Sequence, residues 1–194
     1  MKRLSLYLFL IFFSLSTPSQ ADDIRDFQIE GMNIGKSILD YYNEKEIKKN
    51  ITSPAKDKTF SYVETENIKS EIYNAIQLHY KTKDKKYIIH GISGIVDCRN
   101  DFNICENQWD NVVTDLSNFF GNSATKSDKI VKKHAKDKSG KSILTEIEFK
   151  LDSGDVALIQ LTDWSNEMKY LDNLMISIGT KEISDWYDNQ PEFK

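Results

Sequence analysis

The two cysteines, Cys98 and Cys105, stand in IVDCRNDFNICENQW (95–109), between a run that reads as a strand and one that reads as a helix. Three chemistries suit such a pair. It can form a bridge, it can be a redox centre with one thiol activated at a helix N-terminus, or it can hold a metal beside Asp97 and Asp101. The spacing differs from the CxxC of thiol oxidoreductases, and a metal needs more ligands than this stretch offers. A bridge asks only for an oxidising compartment. It would close a loop of eight residues and constrain the unfolded chain by about 2.5 kcal/mol.

The histidines offer a second centre. If residues 75–97 form a hairpin with a two- or four-residue turn centred on Asp84 and Lys85, His79 and His90 stand directly opposite each other on the more polar face. They are then close enough to share a metal or to repel when both are protonated. No third ligand is specified, so two solvent-facing histidines are the plainer reading, and His134 is expected to be solvated. Glu146, Glu148, Asp155 and Asp163 could gather carboxylates for acid–base work on a later hairpin, although charges on the outer face of a strand are ordinary.

KSDKIVKKHAKDKSGK (126–141) holds seven lysines and two aspartates. It is expected to be a hydrated loop or exposed helix that can touch an anionic surface or an acidic partner. The string SGKS (139–142) has Ala135 where a phosphate loop needs its first glycine, and no strand precedes it. GxSxG and HExxH are absent from the sequence.

These residues need elements to hold them. Asn33 is placed to cap a helix with Ile34, Ile38 and Tyr41 or Tyr42 on one face. Asn43 with Glu46 forms a second capping box, so one bent helix or two short ones are expected over roughly 34–49. TFSYVET (59–65) alternates like a short strand. In the hairpin, Leu78, Tyr80, Tyr87 and Ile89 share the core face, and Gly91 and Gly94 mark a bulge or close packing. Cys105, Trp109, Val112, Leu116 and Phe119 draw one stripe along a helix capped by Asn103 and Glu106 and stopped by Gly121. A second hairpin turns at Asp152-Ser153-Gly154 with Gly154 left-handed, setting Ile147, Phe149 and Leu151 beside Ala157, Ile159 and Leu161. Leu174, Ile176 and Ile178 give another strand, and Thr180 caps a short helix bearing Ile183, Trp186 and Tyr187.

The order is helix, three strands, helix, three strands, short helix. It predicts an α+β fold: an antiparallel sheet with helices on one face. QLHYK (77–81) aligns with EIEFK (146–150), which suggests a duplicated helix-plus-three-strand unit, with halves 22–98 and 101–194 of one domain.

The opening MKRLSLYLFLIFFSLSTPSQA has two cations, an apolar run from Leu4 to Leu15 and small residues before a cleavage site between Ala21 and Asp22. It reads as a secretory signal peptide, residues 1–21. Its apolar run is too short to span a bilayer, and no later segment is apolar enough to do so. Removing Lys2 and Arg3 leaves 24 basic and 30 acidic residues, which argues against nucleic-acid binding. An exported protein, periplasmic or secreted, is expected.

IEGMNIGKSILDYYNEKEI (29–47) and NLMISIGTKEISDWY (173–187) resemble a family of small exported proteins of Pelagibacter-like marine bacteria. That resemblance covers most of the mature chain and implies no activity. The Gly31-Met32 entry is also similar, at fold level alone, to envelope-assembly modules of the BamE type. The sequence therefore points to a soluble interaction or binding module without catalysis and without a cofactor, acting on an envelope protein or surface component. A metal-binding protein or metal-assisted enzyme at His79 and His90 is the alternative.

Overall fold

The computed structural model describes residues 23–53, 55–65, 70–98 and 101–191. The expected signal peptide, residues 1–21, and the expected cleavage site between Ala21 and Asp22 lie outside the described residues. The strands are β1 (Ile51–Thr52), β2 (Phe60–Thr65), β3 (Ala75–Lys81), β4 (Ile89–Asp97), β5 (Ala124–Lys126), β6 (Ile130–Lys133), β7 (Ile143–Leu151), β8 (Val156–Asp163) and β9 (Asn173–Gly179). The helices are α1 (Glu44–Lys49), α2 (Phe102–Phe120) and α3 (Lys181–Asp188).

All strand pairs are antiparallel, in the order β1-β2-β3-β4-β9-β8-β7-β5, with β6 also on the outer side of β7. Two meanders, β2–β3–β4 and β7–β8–β9, thus join through their last strands. The alignment of 77–81 with 146–150 sets β3, the second strand of one meander, on β7, the first strand of the other.

Local chemistry explains most elements. Asn43 accepts from the Glu46 amide at 3.1 Å while Glu46 accepts from the Asn43 amide at 3.0 Å, so the expected capping box starts α1. The other cap differs. Ser37 opens a 3-10 turn at Ile38–Asp40, and the Asn33 side chain donates instead to the Arg25 carbonyl. The stretch 34–49 therefore forms a 3-10 turn and one short helix. Asp101 rather than Asn103 caps α2, accepting from the Asn103 amide at 3.1 Å, and Gly121 ends it with φ +52°.

Alternation then sorts the faces. Leu78, Ile92, Ile159, Leu174, Ile176 and Ile178 point to one side, where α2 lays Cys105, Trp109, Val112, Leu116 and Phe120 on them. Phe120 is fully buried, while Phe119 is only partly so. Phe27, Phe119, Phe120 and Phe149 link by ring contacts of 5.1–5.8 Å. Fully burying each such ring contributes about 1.5–3 kcal/mol. Ile47 of α1 joins this core.

α3 lies on the opposite face, which corrects the expectation of helices on one face. Gly91 and Gly179 pair across β4 and β9, and a Cβ on either would stand 3.0–3.4 Å from the Ile183 side chain. Missing side chains at that pair let α3 approach the sheet. Phe60, Ala55, Ile183 and Trp186 form a second, small apolar cluster there.

The sulfur pair is a disulfide. Cys98 and Cys105 are bonded with their α-carbons 5.4 Å apart and both side chains fully buried, tying the end of β4 to the first turn of α2. Among the described residues no helix is long and apolar enough to cross a membrane.

Candidate functional site

The face that α3 only partly covers is a cleft of about 600 Å³ between α3 and β6–β7. Its floor follows directly from strand register. Cross-strand pairing draws one continuous row over six strands: Glu64, Gln77, Ser93, Ser177, Leu158 and Glu148. A parallel row runs Tyr62, His79, Gly91, Gly179, Val156 and Lys150, and α3 crosses it at the glycines. A third brings Met175, Gln160 and Glu146 together.

The polar groups on this floor are paired side to side. Gln77 Nε2 donates to Glu64 Oε2 at 2.6 Å, and Gln160 Nε2 donates to Glu146 Oε2 at 3.2 Å. Lys132 lies 2.5 Å from the other Glu146 oxygen. The Ser93 and Ser177 hydroxyls share a 2.8 Å bond at the centre. Amides, hydroxyls and carboxylates are thus fixed in orientation by their neighbours while the cleft above them stays open. Such a surface can hydrogen-bond a polar ligand with little reorganisation.

His79 lies on this floor, packed between Tyr62 and Tyr187, with its Nδ1 3.2 Å from the Tyr187 hydroxyl. Burial pushes its pKa down to about 4, so the ring is neutral at pH 7. The same burial raises the Tyr187 phenol, which stays protonated.

The register corrects the expected histidine pair. His79 stands opposite Gly91, and the ladder shifts between His79 and Tyr80, leaving His90 in a bulge. The connection is longer than a tight turn. Asp84 accepts from the Lys86 and Ile88 amides, and Tyr87 takes φ +51°, which displaces the start of β4. Tyr87 and Ile89 nevertheless reach the expected core face beside Leu78 and Tyr80. The His90 ring packs on Phe60, with Nδ1 3.7 Å from Glu182 Oε2, beyond a hydrogen bond. Among the described residues no three His, Cys, Asp or Glu side chains come together as metal ligands would.

The four carboxylates also separate. Glu146 and Glu148 line the cleft. Asp155 instead accepts from the Lys181 amide at 2.8 Å, serving the α3 N-terminus where the Thr180 side chain makes no cap. Asp163 is held above the usual carboxylate range by partial burial and by Asp172 and Glu106.

The lysine-rich connector is neither loop nor helix throughout. It supplies β6 and the last residue of β5 along β7, and His134 packs its half-buried ring 4.3 Å from Trp164. SGKS wraps an anion of its own chain. Asp137 accepts from the Ser142 amide and hydroxyl at 2.9 and 2.6 Å, from the Ser139 amide and hydroxyl at 2.8 and 2.9 Å, and from the Ser165 hydroxyl at 2.8 Å.

These donors hold the Asp137 carboxyl far below the ordinary carboxylate range. Its ionisation therefore stabilises the fold above the ordinary value near pH 4, and that contribution is lost as pH falls through the depressed value. Asp137→Asn is expected to lower the thermal midpoint at about pH 7, with the gap narrowing below about pH 4. A gap that stays constant down to about pH 3 would contradict this assignment.

Sequence reading missed Tyr62, Gln77, Ser93, Gln160 and Ser177 as site residues. Their signal was the polar or small half of each strand's alternation, facing a side that the expected fold left without a helix. Comparisons of the chain with protein-family models, with curated proteins and with solved structures find no match.

Proposed function

We propose that this chain is an exported binding module of the bacterial envelope, without catalytic activity, that takes a polar ligand on the open sheet face beside α3. The observation that carries the reading is the row from Glu64 to Glu148. Its hydrogen-bonding side chains are pre-oriented, and a cleft of about 600 Å³ lies over its members from Gln77 to Glu148. Export rests on the N-terminal sequence and agrees with a buried disulfide, a bond that persists in oxidising compartments. Kinship with the exported marine-bacterial family rests on the strings at 29–47 and 173–187.

The same reading treats the meanders as copies of one helix-plus-three-strand unit. Glu64 and Glu148, at the two ends of the row, are 84 residues apart, as are Ser93 and Ser177 at its centre. That offset replaces the shift of 69 between 77–81 and 146–150 as the support for duplication.

Amide chemical shifts of the labelled protein, followed while fractions of envelope extract are added, test the site. The expected result is a response at Gln77, Ser93, Gln160 and Ser177 that Ser177→Trp abolishes by filling the cleft. Shifts confined to the α2 side, or unchanged by Ser177→Trp, would place binding elsewhere.

A further inference from the structure

β5 and β6 both pair with the outer side of β7, and among the described residues no strand lies beyond them. The amide of His134 donates to the Ser142 carbonyl at 3.0 Å, continuing the β6–β7 ladder by one residue. In an antiparallel pair, hydrogen-bonded positions alternate. Lys132 and Ile130 therefore bond to β7, while the N–H and C=O groups of Val131 and Lys133 face outward. All four residues of β6 are exposed, Val131 by 61% and Ile130 by 48%. This is an unpaired edge with two large apolar side chains.

Charge selects what can pair with it. Residues 126–141 carry a net +5, whereas the rest of the mature chain is −11. Edge-to-edge pairing of two copies would set Lys132 and Lys133 against their own counterparts, and like charges across strands are destabilising. The opposite sheet edge, β1, follows Lys48 and Lys49 and precedes Lys56 and Lys58, so head-to-tail pairing would also bring lysines together. Lysines on edges guard against self-association, and the same lysines attract an acidic strand.

We propose that the outer edge of β6 accepts an extended acidic segment of a partner protein as an added strand. Backbone bonds to Val131 and Lys133 supply affinity and the lysines supply selectivity. This site lies at the sheet edge, so it stands or falls apart from ligand binding in the cleft.

The test uses the full chain and three fluorescein-labelled peptides: one alternating valine and glutamate, one alternating valine and lysine, and the acidic one interrupted by prolines. The acidic peptide is expected to bind, more weakly as salt rises, and to slow amide exchange at Val131 and Lys133. Val131→Pro removes an outward N–H without costing a β6–β7 bond, and should weaken binding by about tenfold. Lys133→Glu with Lys138→Glu should weaken it as well. Equal binding of the proline-interrupted peptide, indifference to Val131→Pro, or no binding of the acidic peptide would overturn the proposal, leaving the lysines as a guard. Vesicles of phosphatidylglycerol that bind wild type and Val131→Pro alike, with no acidic-peptide binding, would assign the patch to a lipid surface instead.

Discussion

Lowering the pH from about 7 to about 4 should weaken the fold by about 3 kcal/mol through His79 alone. The unfolded chain binds a proton at this histidine near the ordinary value of about 6.5, whereas the folded protein resists protonation until about pH 4. Between those values the unfolded state holds more protons, so acid favours unfolding. The stabilisation is complete above the unfolded value and gone once pH has fallen through the folded one. Burial alone sets the sign. The ring lies between Tyr62 and Tyr187, opposite a glycine, and its hydrogen-bond partner is a neutral phenol.

His90 and His134 shift in the same direction, so wild type alone does not isolate the effect. His79→Gln keeps a polar side chain for Tyr187 and does not titrate. The wild-type thermal midpoint should therefore fall relative to that of His79→Gln by about 6–12 °C across this window. Proton NMR of the imidazole gives the direct check. A His79 ring that titrates near pH 6.5 in the folded protein would refute the prediction.

What acid would loosen is the attachment of α3. Among the contacts that hold that helix to the rest of the molecule are the Gly91–Gly179 gap that receives Ile183, the Trp186 Nε1 donation to Asp57 at 3.1 Å, the Asp155 bond to the Lys181 amide and the Tyr187–His79 bond. It forms one wall of the cleft whose floor is the row from Gln77 to Glu148. Protonating His79 therefore acts on the position of that wall, and ligand binding in the cleft should weaken over the same pH range.

Elements whose signals were local were legible in the sequence. The capping box of Asn43 and Glu46 depends on residues three apart. Gly154, with φ +86°, fixes the second hairpin's register within a few positions, so Ile147 meets Ile159 as expected. The stripe along α2 was legible because periodic burial needs only one partner surface, although its last member is Phe120 rather than Phe119.

Longer-range effects were not legible. The bulge at His90 follows from Asp84 gathering amides across the turn, which no strand alternation records. β6 was hidden because lysine replaces alternation on an edge that buries nothing. α3 could reach the far face only because Gly91 and Gly179 meet across two strands far apart in the chain. Asp137 likewise draws a donor from Ser165, well outside its own loop.

Removing the disulfide should cost about 2.5–4 kcal/mol. The loop from Cys98 to Cys105 spans eight residues, and releasing it returns about 2.5 kcal/mol of chain entropy to the unfolded state. The remainder comes from packing, because both sulfurs are fully buried: Cys105 lies under Val96 and among the α2 side chains that cover the sheet. Cys98→Ala with Cys105→Ala should therefore lower the thermal midpoint by about 5–15 °C. Amide exchange should quicken first at the end of β4 and the first turn of α2, the two segments the bridge joins. Reduction of the wild type keeps both sulfurs in place, so it should reproduce the chain-entropy part of the shift and add the mass of two hydrogens. The spacing alone left redox and metal chemistry open, and this experiment separates them from a staple. A redox centre would lose little stability on reduction, whereas a structural bridge buried at the sheet–helix junction loses most of its worth. If the double variant melts within about 1 °C of wild type, the bridge does not hold α2 to β4.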